Sequence, residues 1–240
     1  MIEEFLIKAA QIALPLSFDR QFSFDNYFSP RGKLIIANLK ALVTCNGESM
    51  IGLWGGSDSG KTHLINACAH YARQQGISLQ LYDGTELAQY DADSFEVLET
   101  CQVLAVDNLD ALCGIKKWEE KFYRIINISK NEGLNLIFTL SVNPSYLDCH
   151  LADFQSRLSW GLLLQLQMTG ETDIGKVIKL RASLLGIELS KEAIAYLLAH
   201  YSRQLSVQIE ILRALDRASL SVQKKITIPL IKQTLGEFRS

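Results

Sequence analysis

The chain has 240 residues, 48% of them hydrophobic, and a formal net charge of −2. That length suffices for one large α/β domain, or for a domain of about 160 residues with a small companion. The charge leaves no basic field for wrapping nucleic acid, and no window nears the roughly 18 uninterrupted apolar residues of a membrane span.

The N-terminus, Met1-Ile2-Glu3-Glu4, lacks the basic region and apolar core of a secretory signal. The first short motif is QIALPL, Gln11 to Leu16. It reads either as an edge strand leading into the core or as a peptide made for a partner's pocket. Five apolar runs then read as strands: 50–54, 77–82, 101–107, 134–140 and 161–167. Several are nearly continuous, as strands buried on both faces should be. Amphipathic helices lie between them, at 61–75 and 117–131, ending at Gly76 and Gly133 as C-caps. Such alternation predicts a parallel three-layer α/β sheet with helical crossovers.

GGSDSGKT, Gly55 to Thr62, follows the first of these strands and opens a helix. Its spacing is that of a phosphate-binding loop. Gly55 and Gly60 are expected to supply positive φ angles, so that backbone N–H groups of Gly56, Ser57, Asp58 and Ser59 turn inward. Lys61 is placed to reach the β- and γ-phosphates, Thr62 to offer a hydroxyl to Mg²⁺, and His63 to sit at the helix start. Asp107 ends the apolar strand CQVLAVD and is the matching Mg²⁺-associated carboxylate. Asn108 follows it, where many related ATPases place the carboxylate that activates water. An amide cannot accept that proton at neutral pH, so nucleotide is held more than turned over. Asp110 is spaced poorly to substitute.

SRLSWG precedes the last strand. Arg157 is either an ordinary surface arginine or a finger for a γ-phosphate in a neighbouring subunit. After about residue 168 the pattern is helical only. Ser190 is a good N-cap, and Pro229 falls in the first turn of the last helix. The boundaries expected are an N-terminal segment 1–20, an α/β nucleotide-binding domain 21–168 and a helical domain 169–240. The five cysteines show no metal-binding spacing and read as reduced, mostly buried thiols of a cytoplasmic protein.

Five segments together resemble the DnaA-like AAA+ family, and within it the Hda family of regulatory inactivators. They are FSFDNYF (22–28), GGSDSGKTHL (55–64), VDNLDALCG (106–114), ADFQSRLSWG (152–161) and LDRASLSVQKKITIPLIKQTL (215–235). The resemblance implies an AAA+ P-loop NTPase fold with a five-stranded parallel sheet and a small helical lid. It implies that Arg157 is a finger acting in trans on ATP bound to DnaA, and that Tyr27 and Phe28 lie near the adenine. QIALPL resembles the motif that docks such proteins on the DNA polymerase III sliding clamp, the beta subunit, through Gln11, Leu14, Pro15 and Leu16. The implied ligands are an adenine nucleotide, ADP in preference to ATP, and Mg²⁺. DNA would be met only through the clamp, and the resemblance leaves room for a homodimer.

Two positions depart from the family pattern. Ser206 stands where a lid arginine is usual, with Arg203 one turn earlier as the substitute sensor. Ser141 stands where a sensor aspartate is usual. The implied function is negative regulation of replication initiation, by stimulating hydrolysis of DnaA-bound ATP, with weak or no ATPase of its own. A DnaA-like initiator or helicase-loader ATPase is the alternative, against which stands the lack of a basic helix-turn-helix after the lid. A metabolic P-loop kinase is a third reading, disfavoured by Asn108 and the helical lid.

Overall fold

The structure, a computed structural model, describes residues 22–27, 29, 31–97, 100–131, 133–167, 171–222 and 226–236. QIALPL and Phe28 lie outside these. The chain divides into two compact units, residues 1–168 and 169–240.

The first unit begins with a 3-10 turn at Phe24–Asn26, then helix α1 (Gly32–Val43), β1 (Met50–Trp54), α2 (Lys61–Gln74) and β2 (Leu79–Asp83). A single helical turn, α3 (Gly84–Leu87), precedes β3 (Val103–Asp107). Then come α4 (Lys116–Asn131), β4 (Asn135–Leu140), α5 (Ala152–Arg157) and β5 (Leu162–Gln165). The five strands form one sheet in the order β2-β3-β4-β1-β5, with every pairing parallel.

Alternation along each strand sorts side chains to two faces. Leu104 and Val106 join Leu136, Phe138 and Leu140 on the face covered by Trp118, Phe122, Ile125 and Ile126 of α4. Val103, Ala105, Ile51, Leu53 and Ile137 face the other way, against Leu39 and Leu42 of α1 and Leu64, Ile65 and Cys68 of α2. The α4 residues fall at helical spacing, and each fully buried side chain of this size contributes about 1.5–3 kcal/mol. Gly76 and Gly133 carry φ angles of 69° and 80° just past α2 and α4, as expected of C-caps.

Three features differ from the sequence expectation. Helices α1 and α5 join those anticipated, and among the described residues between β2 and β3 only α3 and a 3-10 turn at Ala92–Ser94 are helical, with no full crossover helix. Among the thiols, all free, Cys68 and Cys101 are buried, Cys113 and Cys149 half-buried, and Cys45 exposed.

The second unit holds α6 (Glu171–Leu184), α7 (Lys191–His200), α8 (Leu205–Val222) and α9 (Ile228–Thr234). Ile178, Leu197, Leu212, Leu215 and Ile231 form its core. The Ser190 hydroxyl caps α7 by accepting from Ala193 N at 3.1 Å. Buried Gln208 donates to the Ser202 carbonyl at 2.7 Å and ties α8 to the preceding loop. Among the described residues no helix is long and apolar enough to cross a membrane.

Candidate functional site

The loop from Gly55 to Gly60 joins the carboxyl end of β1 to the amino end of α2. Gly60 is the N-cap of α2 with φ 89°, and Asp58 also has a positive φ, 58°. Gly55 does not, contrary to the expectation from sequence. Its requirement is space, because a Cβ there would lie 2.5 Å from the Leu166 carbonyl oxygen. Ser59 is buried, and its hydroxyl donates to the Gly56 carbonyl at 2.8 Å, closing the loop on itself. A Cβ on Gly56 would meet nothing within 4 Å, so that side of the loop is open. The first-turn N–H groups of α2 have no intrahelical acceptor, and the helix dipole adds partial positive charge there.

Lys61 Nζ donates to the carbonyl oxygens of Gly55 and Gly56 at 2.6 and 2.8 Å. Burial lowers its pKa, while the carboxylates of Asp107, Asp110 and Asp58 act to raise it. Thr62 Oγ1 donates to Asp107 Oδ2 at 2.6 Å, and Thr139 Oγ1 donates to Asp107 Oδ1 at 2.5 Å. Asp107 is only 5% exposed. Burial raises its pKa, and the two threonine hydroxyls oppose that shift. A hydroxyl beside a buried carboxylate, next to a loop that ends in a lysine and a helix N-terminus, is a donor set suited to Mg²⁺ and a polyphosphate. Thr62, Asp107 and Lys61 would hold them.

Asn108 has φ 53° and ψ 44°, a left-handed conformation that asparagine tolerates better than most residues. Its backbone N–H donates to Thr139 Oγ1 at 2.8 Å, and its amide donates to Asp83 Oδ2 at 3.1 Å. Asp110 does not sit as a spare base. It accepts from Ser141 N at 3.0 Å and from the Ser141 hydroxyl. Ser141, the expected sensor, is therefore bonded to the protein's own carboxylate.

Tyr27 stacks on His63 at 5.8 Å, and the edge of Phe22 meets His63 at 5.6 Å. His63 Nε2 lies 2.9 Å from the Ser23 carbonyl oxygen. The aromatic segment thus covers the start of α2 beside Gly60, where a Cβ would lie 2.8 Å from Tyr27 Cε2. Burial raises the Tyr27 pKa, with a bond to Ser29 opposing. In the second unit, Arg203 Nε donates to the Leu198 carbonyl at 3.4 Å.

Arg157 lies at the other rim of the sheet. It ends α5, four residues before Gly161, whose Cβ position lies 2.3 Å from the Met50 carbonyl oxygen at the start of β1. The phosphate loop follows the far end of the same five-residue strand, roughly 16 Å away at the usual rise. Arg157 Nη1 donates to Asn127 Oδ1, and Nη2 donates to the Tyr123 hydroxyl at 2.8 Å. Its guanidinium carbon lies 4.2 Å from the Tyr123 ring centre and 4.1 Å from that of Trp160. Lys130 covers Trp160 as well, at 4.2 Å. Among the described residues no carboxylate pairs with Arg157. Trp160 also borders a cleft of about 350 Å³, lined in part by Glu48, Met50, Lys130 and Gly161.

One residue that the motifs did not reveal fixes α5. Glu119 is fully buried and accepts three backbone N–H groups: Gly114 at 2.7 Å, His150 at 3.0 Å and Leu151 at 2.7 Å. It joins the loop after β3 to the start of α5. The apolar neighbour Trp118 is a weak local hint that Glu119 points inward.

Residues 18–165 match the model of the bacterial DnaA ATPase domain, and residues 171–235 match that of the Hda lid domain. Domain III of the Thermotoga maritima replication initiation protein DnaA superposes with a TM-score of 0.78 at 18% identity, covering 91% of this chain and 97% of that one. DnaA from Aquifex aeolicus, bound to AMPPCP, gives 0.69 at 19% identity over 93% and 71%. The Thermotoga maritima RuvB branch migration motor gives 0.64 at 18% identity over 92% and 73%. With well over half of its length matched by the first model and its helical unit by the second, this chain belongs to the bacterial DnaA ATPase family of AAA+ proteins, as an Hda-like member.

Proposed function

We propose that this chain is a regulatory AAA+ protein that stimulates hydrolysis of ATP bound to DnaA, and so restrains replication initiation. The observation that carries the reading is Arg157. Its charge has no carboxylate partner among the described residues, and it stands at the rim opposite the chain's own phosphate loop. An arginine so placed serves a nucleotide on another molecule. There it stabilises charge on the transferring phosphoryl group.

The chain's own site holds an adenine nucleotide, ADP in preference to ATP, with Mg²⁺ at Thr62 and Asp107. The Asn108 amide, occupied with Asp83, offers no base to activate water, which supports retention over turnover. Gln11, Leu14, Pro15 and Leu16 dock the protein on the DNA-loaded sliding clamp in the cytoplasm, bringing Arg157 to DnaA. An initiator or helicase-loader ATPase would need a base where Asn108 stands.

The test follows labelled ATP on DnaA in the presence of clamp-loaded DNA. Wild type accelerates its hydrolysis, whereas Arg157→Ala and Gln11→Ala do not. Equal stimulation by wild type and Arg157→Ala removes the reading.

A further inference from the structure

Two cysteines that no motif explains meet in the fold. Cys113 follows the 3-10 turn Leu109–Leu112 beyond β3, and Cys149 stands just before α5. Glu119 draws their neighbours together. Its Oε1 accepts from Gly114 N at 2.7 Å and from His150 N at 3.0 Å. Two backbone amides on one oxygen lie no further apart than the sum of those bonds. The α-carbons just before them, those of Cys113 and Cys149, are thereby drawn toward the span of about 4.4–6.8 Å that a disulfide bridges. The side chains complete the approach, because the two thiols hydrogen-bond each other. Both are free and half-buried, and both pack beside the core that α4 covers. The other thiols are placed differently. Cys68 and Cys101 are buried, and exposed Cys45 accepts from Asn135 Nδ2 at 3.2 Å.

We propose that Cys113 and Cys149 form a redox pair, which a peroxide closes to a disulfide and a dithiol reopens. In a reducing compartment the pair rests as thiols and closes only under oxidant. Burial pushes both thiols up, and most strongly Cys113, while the bond from Cys113 draws Cys149 back down. Cys149 therefore ionises first, and its thiolate is the nucleophile. It attacks one oxygen of hydrogen peroxide, the O–O bond breaks, and hydroxide leaves and takes up a proton as water. Cys149 Sγ is then a sulfenic acid. Cys113 Sγ attacks that sulfur, the S–S bond forms and the S–O bond breaks. The departing hydroxyl carries off the Cys113 proton as a second water. The pair has lost two electrons and two protons, and the peroxide has become two waters. Glu119 beside both thiols, Asp110 beside Cys113 and Asp148 beside Cys149 disfavour the thiolate, which keeps the reaction slow at neutral pH. The new bond closes the chain across α4 and β4, and ties the loop after β3 to the chain entering α5. The pair stands whether or not Arg157 acts on DnaA-bound ATP.

The experiment treats the full-length protein, carrying Cys45→Ser to remove the exposed thiol, with hydrogen peroxide at about pH 8.5, where more thiolate is present. Digestion without reductant, followed by mass spectrometry, is expected to join the peptide of Cys113 to that of Cys149. The melting temperature rises by about 4–16 °C, because the cross-link constrains the unfolded chain. Dithiothreitol reverses both changes. Cys113→Ser in the same background cannot close the bond, and a dimedone adduct then collects at Cys149. Melts of the reduced variants check that they fold. Oxidation of Cys149 to a sulfinic acid with Cys113 still free overturns the pair, as does a treated protein in which both thiols still react with maleimide. A link between any other two cysteines overturns it as well. So does a linked protein that melts no higher than the reduced one, since the native fold would then not bring the thiols together.

Discussion

The Asn108 amide and the Asp83 carboxylate meet at 3.1 Å across the carboxyl ends of β3 and β2. The carboxylate stands on the neighbouring strand and the amide beside Asp107. Exchanging them in Asp83→Asn/Asn108→Asp keeps shape, hydrogen bond and tolerance of the left-handed backbone. The exchange puts an acceptor beside Asp107, the carboxylate proposed to face Mg²⁺. Intrinsic ATP hydrolysis is expected to rise about a hundredfold. Asn108→Asp alone sets two carboxylates against each other and gains less. A steady-state phosphate-release assay checks this, and a wild type as fast as the exchanged variant contradicts it.

Burial raises the Asp107 pKa above the ordinary 3.8. A raised folded-state pKa means that the folded chain binds the proton more tightly than the unfolded chain. Its contribution is then fully present below about pH 4 and is lost as pH rises through the folded value. At neutral pH the ionised Asp107 opposes folding when no cation faces it. Asp107→Asn is therefore expected to raise the melting temperature at pH 7 by more than at pH 4, in protein free of nucleotide. The same variant loses Mg²⁺-dependent nucleotide affinity. Thermal melts across that range decide the matter, and an equal shift at both pH values contradicts it.

Thr139 accepts from Asn108 N and donates to Asp107. Thr139→Val leaves both groups without that partner in a buried setting. It is expected to cost about 1–3 kcal/mol of stability and to weaken Mg²⁺-nucleotide binding by about tenfold or more. Denaturant unfolding and calorimetric titration measure the two effects.

Glu119→Gln keeps two acceptor contacts and turns an amide N–H toward one of three backbone donors. A buried donor left without an acceptor costs about 1–3 kcal/mol, or roughly 2–4 °C in melting temperature per kcal/mol for a chain this long. Arg157 lies at the end of the helix that Glu119 anchors, so stimulation of DnaA-bound ATP hydrolysis falls too. Unchanged melting would show that the three bonds do not hold α5.

Much of the fold was readable because strands buried on both faces appear as apolar runs and because the phosphate loop fixes residues at constant spacing. Lys61, Thr62 and Asp107 converge as that spacing suggests. Helix α5 was not readable, since six residues are too few to show a period. Gly55 was identified for the wrong reason, because the demand on it comes from Leu166, more than a hundred residues away. The pairings of Asn108 with Asp83, Asp110 with Ser141 and Arg157 with Tyr123 join separate elements of the fold. Local sequence carries no trace of such contacts. The nearby composition of SRLSWG left Arg157 ambiguous, and only its direct contacts, to Asn127, Tyr123 and Trp160, separate it from a salt-bridge arginine.

The most direct measurement loads DnaA with labelled ATP and this chain with unlabelled ADP, then follows loss of label from DnaA. With the two nucleotides distinguished, wild type is expected to raise the plateau rate, and Arg157→Ala to lower it by about a thousandfold at unchanged half-saturation. A plateau that does not depend on Arg157 would contradict action in trans.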